Sequence, residues 1–141
     1  MSTIKVDTYL TRGGASEIAI DKLKGVTAAG SMLVVGEGGT NTTNLQQGLA
    51  KAWVFGSDAA ALTKSFNIAS GTDNGTGDYT YAITNDMDSA NFAASATGAA
   101  GGRRYGIQLA RTTGTFQVRY YDDNEALGDT ANASKVHGDL A

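Results

Sequence analysis

The chain has 141 residues, with a formal net charge of -3 from 11 basic and 14 acidic residues, 19 glycines, no proline and no cysteine. That length suits one modest core, or one small domain with an attached arm. Lack of cysteine excludes a disulfide framework, a thiolate zinc site and a cysteine nucleophile, and basic residues scattered everywhere except Arg103-Arg104 argue against nucleic-acid binding, which needs a clustered basic face.

Residues 3 to 10 alternate, with Ile4, Val6, Thr8 and Leu10 on one face and Lys5, Asp7 and Tyr9 on the other, predicting a strand. The start is polar, without the apolar core of a signal peptide, and no later run approaches the roughly 18 apolar residues of a membrane span. Synthesis in a cytoplasm without membrane insertion is expected. Gly13-Gly14 interrupts the first strand, Ile18 and Ile20 resume it, and Asp21 to Gly25 reads as a tight turn. Ser31 to Val35 is a short apolar run, and Gly36 to Thr43 has loop composition. From Asn44 to Ala52, Leu45 and Leu49 stand at helical i, i+4 spacing behind an asparagine able to cap, so one or two helical turns are expected.

Strand signals then follow quickly, at 52 to 55, 64 to 70, 78 to 83, 91 to 97, 105 to 111, 115 to 121 and 135 to 140, separated by glycine- and Asx-rich turns. At their centre, Ser65 to Ile83 reads as a hairpin turning through Asp73-Asn74-Gly75 and Gly77-Asp78. Seven short antiparallel strands predict an all-β domain over residues 51 to 141, a small jelly-roll-like β-sandwich. Its expected core is Trp53, Phe55, Phe66, Ile68, Ile83, Phe92, Ile107, Leu109, Phe116 and Val118. Residues 1 to 50 read as an extended arm whose apolar residues lack a returning aromatic. Such an arm must pack on the sandwich or on copies of itself. Ile4, Val6, Ile18, Ile20, Leu23, Val26, Leu33, Leu45 and Leu49 are the candidate contacts of an oligomer, and oligomerisation is a common source of stability for a small domain without disulfides.

No residue pattern predicts catalysis, a cofactor or a metal site. His137, the single histidine, has Asp139 on the same strand face, but nothing supplies the nucleophile and oxyanion site of a catalytic pair. The carboxylates Asp73, Asp78, Asp86, Asp88, Asp122, Asp123 and Glu125 fit turn chemistry, and their spacing does not match a calcium-binding EF-hand. The glycine loops at 36 to 39 and 101 to 104 lack the order of a phosphate-binding loop. Tyr81 and Tyr120 form a possible ligand surface with the anion-binding pair Arg103 and Arg104, against the plainer reading of half-buried strand tyrosines.

The segment AKAWVFGSDAAALTKSFNIASGTDNGTGDYTYAITNDMDSANFA resembles a repeated pattern in tail-fibre-like virion proteins of bacteriophages, especially phages of aquatic bacteria. STIKVDTYLTRGG, AIDKLKGVTAAGSMLVVGEGGTNTTNLQQGLAKAW and the closing HGDLA are similar to other parts of the same proteins. The resemblance implies a homotrimeric structural protein on the virion surface, made in the host bacterial cytoplasm. Residues 1 to 50 would intertwine or dock on other virion proteins, and residues 51 to 141 would face outward and contact a host glycan. A capsid decoration protein and a carbohydrate-binding module are the alternatives.

Overall fold

The computed structural model describes residues 32–98 and 105–141. The strands expected at 3 to 10 and 16 to 20 and the turn at 21 to 25 lie outside the described residues. Leu33–Val35 (β1) and Thr42–Asn44 (β2) pair as a two-stranded antiparallel ribbon around the glycine-rich loop. A single helical turn, Leu45–Gly48 (α1), follows directly. The Asn44 side chain accepts from the Gln47 amide at 3.2 Å, so the expected cap is present, and the helix is the shorter of the expected lengths, one turn ending at Gly48.

Eight strands form the remainder: Ala52–Gly56 (β3), Leu62–Phe66 (β4), Ile68–Gly75 (β5), Asp78–Ile83 (β6), Ala93–Gly98 (β7), Tyr105–Arg111 (β8), Thr115–Tyr121 (β9) and Asn132–His137 (β10). They make one antiparallel sheet in the order β4-β3-β10-β7-β8-β9-β6-β5, which curls into a nearly closed barrel. The successive hairpins β7-β8-β9, with β10 returning beside β7, constitute a Greek key. The central hairpin is β5-β6, and its strands extend further into the glycine-rich connection than the sequence implies, leaving only Thr76 and Gly77 between Gly75 and Asp78.

The extra strand arises because the single strand expected at 64 to 70 is divided at Asn67. This residue adopts the left-handed conformation (φ 57°) and carries the chain from one edge of the sheet, β4, to the other, β5. Asparagine tolerates that conformation better than most residues. Its side chain then bridges segments on either side of the gap: Nδ2 donates to the Lys51 and Asn85 carbonyls at 3.0 and 3.2 Å, and Oδ1 accepts from the Asn85 amide at 2.8 Å. Asn67→Ala loses all three bonds and keeps the backbone penalty, a cost of about 2 kcal/mol at this half-buried site. A denaturant melt that left the midpoint unchanged would show that the gap is closed by other contacts.

The core also differs from expectation. Ile68, Ile83, Phe92, Phe116 and Val118 are buried as expected, but Trp53, Phe55 and Phe66 are 36, 40 and 53 % exposed, and Ile107 and Leu109 also point outward. In their place Tyr79, Tyr81 and Tyr120 fill the barrel. The reason is steric. Two of these rings lie over glycines in register on the neighbouring strand, Tyr81 over Gly71 and Tyr120 over Gly106. A Cβ at Gly106 would stand 2.7 Å from the Tyr120 ring and 2.9 Å from the Ala96 methyl. Ala52, Val54 and Gly56 of β3 face inward because only small side chains fit opposite the rings, and strand alternation then turns Trp53 and Phe55 out.

Candidate functional site

The barrel interior is occupied by its own polar network. The Tyr81 hydroxyl donates to Asn132 Oδ1 at 2.7 Å, and Asn132 Nδ2 donates to the Ser57 and Thr130 carbonyls, both at 3.3 Å. The Tyr120 hydroxyl lies 3.3 Å from Ser134 Oγ. The Tyr79 hydroxyl donates to the Asp58 carbonyl at 2.9 Å and accepts from the Thr130 amide at 3.2 Å. Buried polar groups need such partners, and β10 supplies Asn132 and Ser134 inward for two of the three rings. Burial disfavours the phenolate and raises the pKa of all three phenols, that of Tyr79 to about 12. A tyrosine held neutral in the fold stabilises it fully below the ordinary value near 10, and this contribution is lost as pH rises through the higher folded values.

These positions overturn one site expectation. Tyr81 and Tyr120 are fully buried and present no ligand surface, because their rings close the core against glycine and alanine. Arg103 and Arg104 lie outside the described residues, as do Ile4, Val6, Ile18, Ile20, Leu23 and Val26. Of the arm contacts that are described, Leu33 and Leu49 are more than half exposed and Leu45 is half-buried. Trp53, Phe55 and Phe66 carry the surface feature that sequence reasoning missed.

Asp78 is also a structural group. Arg119 Nε and Gln117 Nε2 each donate to its carboxylate at 2.6 Å and Asn74 Nδ2 at 3.0 Å, across β5, β6 and β9. Burial alone would raise its pKa, but the hydrogen bonds from Gln117, Arg119 and Asn74, with the Arg119 charge, outweigh burial and hold it below the ordinary 3.8. Since the folded value is the lower one, Asp78 stabilises the fold above the unfolded value, and that contribution disappears as pH falls through the folded value. Asp78→Asn should therefore flatten the acid limb of a plot of stability against pH; an unchanged limb would show that other carboxylates govern it.

His137 lies in a polar hollow of about 330 Å³ with Asp88, Asp139 and Gln47, and Gln47 Nε2 donates to Asp139 Oδ2 at 2.9 Å. Among the described residues no group of three or more His, Asp or Glu side chains is placed to hold a metal ion. No helix among them is long and apolar enough to cross a membrane.

The outward face of β4-β3-β10-β7-β8 is different in kind. Phe66 stands opposite Trp53, Lys64 opposite Phe55, Lys135 and Ala133 opposite Trp53 and Phe55, and Ser95 and Thr97 continue the row to Tyr105. The small residues on β10 and β7 make a hollow of about 350 Å³ beside Trp53 and Phe55. Beyond it, Tyr105 stacks on Tyr121 with centroids 5.6 Å apart. The exposed fractions of Trp53, Phe55, Phe66, Tyr105, Ile107 and Leu109 together amount to on the order of 500 Å² of apolar surface, at the upper end of what a monomer normally leaves open. Chemically this face can bury area against an apolar partner, with Lys64 and Lys135 offering positive charge at its edge and floor. In comparisons with known proteins, no family model, curated protein or solved structure matches this chain.

Proposed function

We propose that this protein is a structural component of a bacteriophage virion, a homotrimeric, fibre-like appendage of the tail or head. It is made in the host cytoplasm and displayed on the particle surface. The observation that carries this reading is the outward aromatic face. Trp53, Phe55 and Phe66 remain uncovered in one copy, and repeated subunits are the simplest source of cover, with apolar burial driving association. The sequence likeness of AKAWV, SFN and DNGTGDYT to tail-fibre-like proteins supports the same reading. Residues 1 to 50 attach or intertwine the subunits, and the barrel stands outward. The reading requires neither a catalytic group nor a cofactor.

Capsid decoration is the second reading, since the same uncovered Trp53, Phe55 and Phe66 face would serve equally to lie on a capsid surface. Antibody-gold labelling of virions that contain the protein distinguishes the two. Label at the tail or at discrete head projections supports a fibre, label distributed over the head supports decoration, and unlabelled particles contradict both. If the barrel also contacts host glycans, the platform falls to the Tyr105–Tyr121 stack and not to the buried Tyr81 and Tyr120. Loss of glycan-array binding on Tyr105→Ala is the corresponding check.

A further inference from the structure

Two apolar features of the chain are uncovered at once. One is the hollow on the outward face of β3, β10 and β7, walled by Trp53 and Phe55 and floored by Ala133, Ser95 and Thr97. The other is the β1-β2 ribbon, in which Leu33, Val34 and Val35 are each more than half exposed. A two-stranded ribbon alone in water is marginal at best, and the principal contacts of β1 are with β2 alone. Leu33 and Val35 share one face of this strand, separated by Val34 on the other.

The geometry points to a head-to-tail contact between copies, in which the ribbon of one chain seats its Leu33 and Val35 face in the Trp53, Phe55 and Thr97 hollow of the next. This rests on the assembly reading above and adds to it the identity of the two contacting surfaces. Two observations select a second copy as the occupant. Each chain carries both halves, so every ribbon and every hollow is covered when such contacts close into a ring. Charge is complementary: Glu37 at the ribbon turn is exposed, while Lys64 and Lys135 border the hollow, and the Arg119–Asp78 pair is the only ion pair among the described residues.

The native chain has no cysteine, so a disulfide can be placed without background. In the full chain carrying Val35→Cys and Thr97→Cys, oxidation with glutathione disulfide should give reducible bands at multiples of the chain mass, while each single variant stays at the mass of one chain. Light scattering of the reduced double variant, run in parallel, reports the oligomer independently of the bond. Interchain bands requiring both cysteines support the contact, and a ladder extending beyond three would retain the contact while contradicting the trimer. An oligomer that gives no 35–97 bond, or one in which Val35→Cys alone cross-links, overturns the proposed contact and leaves the assembly reading standing. A bond formed only within one chain also overturns it, by placing the ribbon on its own barrel. A monomer by scattering contradicts both.

Discussion

Tyr120→Ala is expected to cost the barrel about 3–5 kcal/mol, the range for removing a large buried aromatic side chain. Tyr120 is fully buried, lies with its ring centroid 5.8 Å from that of Tyr79, and rests on Gly106, which cannot collapse into the vacated space. For a domain of this size the melting temperature should fall on the order of 10–20 °C. Tyr120→Phe keeps the ring and removes only the 3.3 Å contact with Ser134, so its cost should be about 0.5–1.5 kcal/mol. Tyr81→Phe should cost more, about 1–3 kcal/mol, because it leaves the buried Asn132 Oδ1 without its donor. A Tyr120→Ala protein that melts with the parent would mean that Tyr120 is not a core residue and would return it to the list of surface residues available for ligands.

The second large effect concerns association. Trp53→Asp combined with Phe55→Asp places two carboxylates on the outward face without disturbing the inward Ala52, Val54 and Gly56. Burying an aromatic side chain is worth roughly 1.5–3 kcal/mol per copy, and burying an unpaired charge is worse. The double variant should run as a monomer and retain the parent's near-ultraviolet tyrosine signal, since Tyr79, Tyr81 and Tyr120 face the opposite side of the sheet. An assembly that survives both substitutions would exclude this face as an interface.

Much of the barrel could be read from the sequence. The alternation in Asp78–Ile83 and Thr115–Tyr121 marks strands, the asparagine before Leu45 marks a cap, and the glycine-rich stretch before Asp78 marks the hairpin. Alternation states which residues share a face and leaves open which face turns inward. Hydrophobic size suggested that Trp53 and Phe55 point in, whereas the interior was already committed to tyrosines on β6 and β9, with glycine and alanine on the strands around them. The available cue was the run of small residues at Ala94, Ala96, Gly106 and Ser134, which leaves room for rings supplied from elsewhere. Asn67 was harder to recognise. A single asparagine between Phe66 and Ile68 reads as one polar strand position, and its role in joining the two sheet edges depends on contacts with Lys51 and Asn85, 16 and 18 residues away. The outward apolar face was invisible for the same reason as the inward tyrosines, since both follow from one choice of strand parity.

The central claim is that one copy is incomplete and that its outward apolar face is covered by others. The most direct measurement is the mass of the purified full chain in solution by size-exclusion chromatography with light scattering. Assembly predicts about three times the 14.5 kDa chain mass, collapsing to one chain mass in the Trp53→Asp, Phe55→Asp variant. A parent protein that elutes as a stable, folded species of one chain mass at every concentration tested would contradict it.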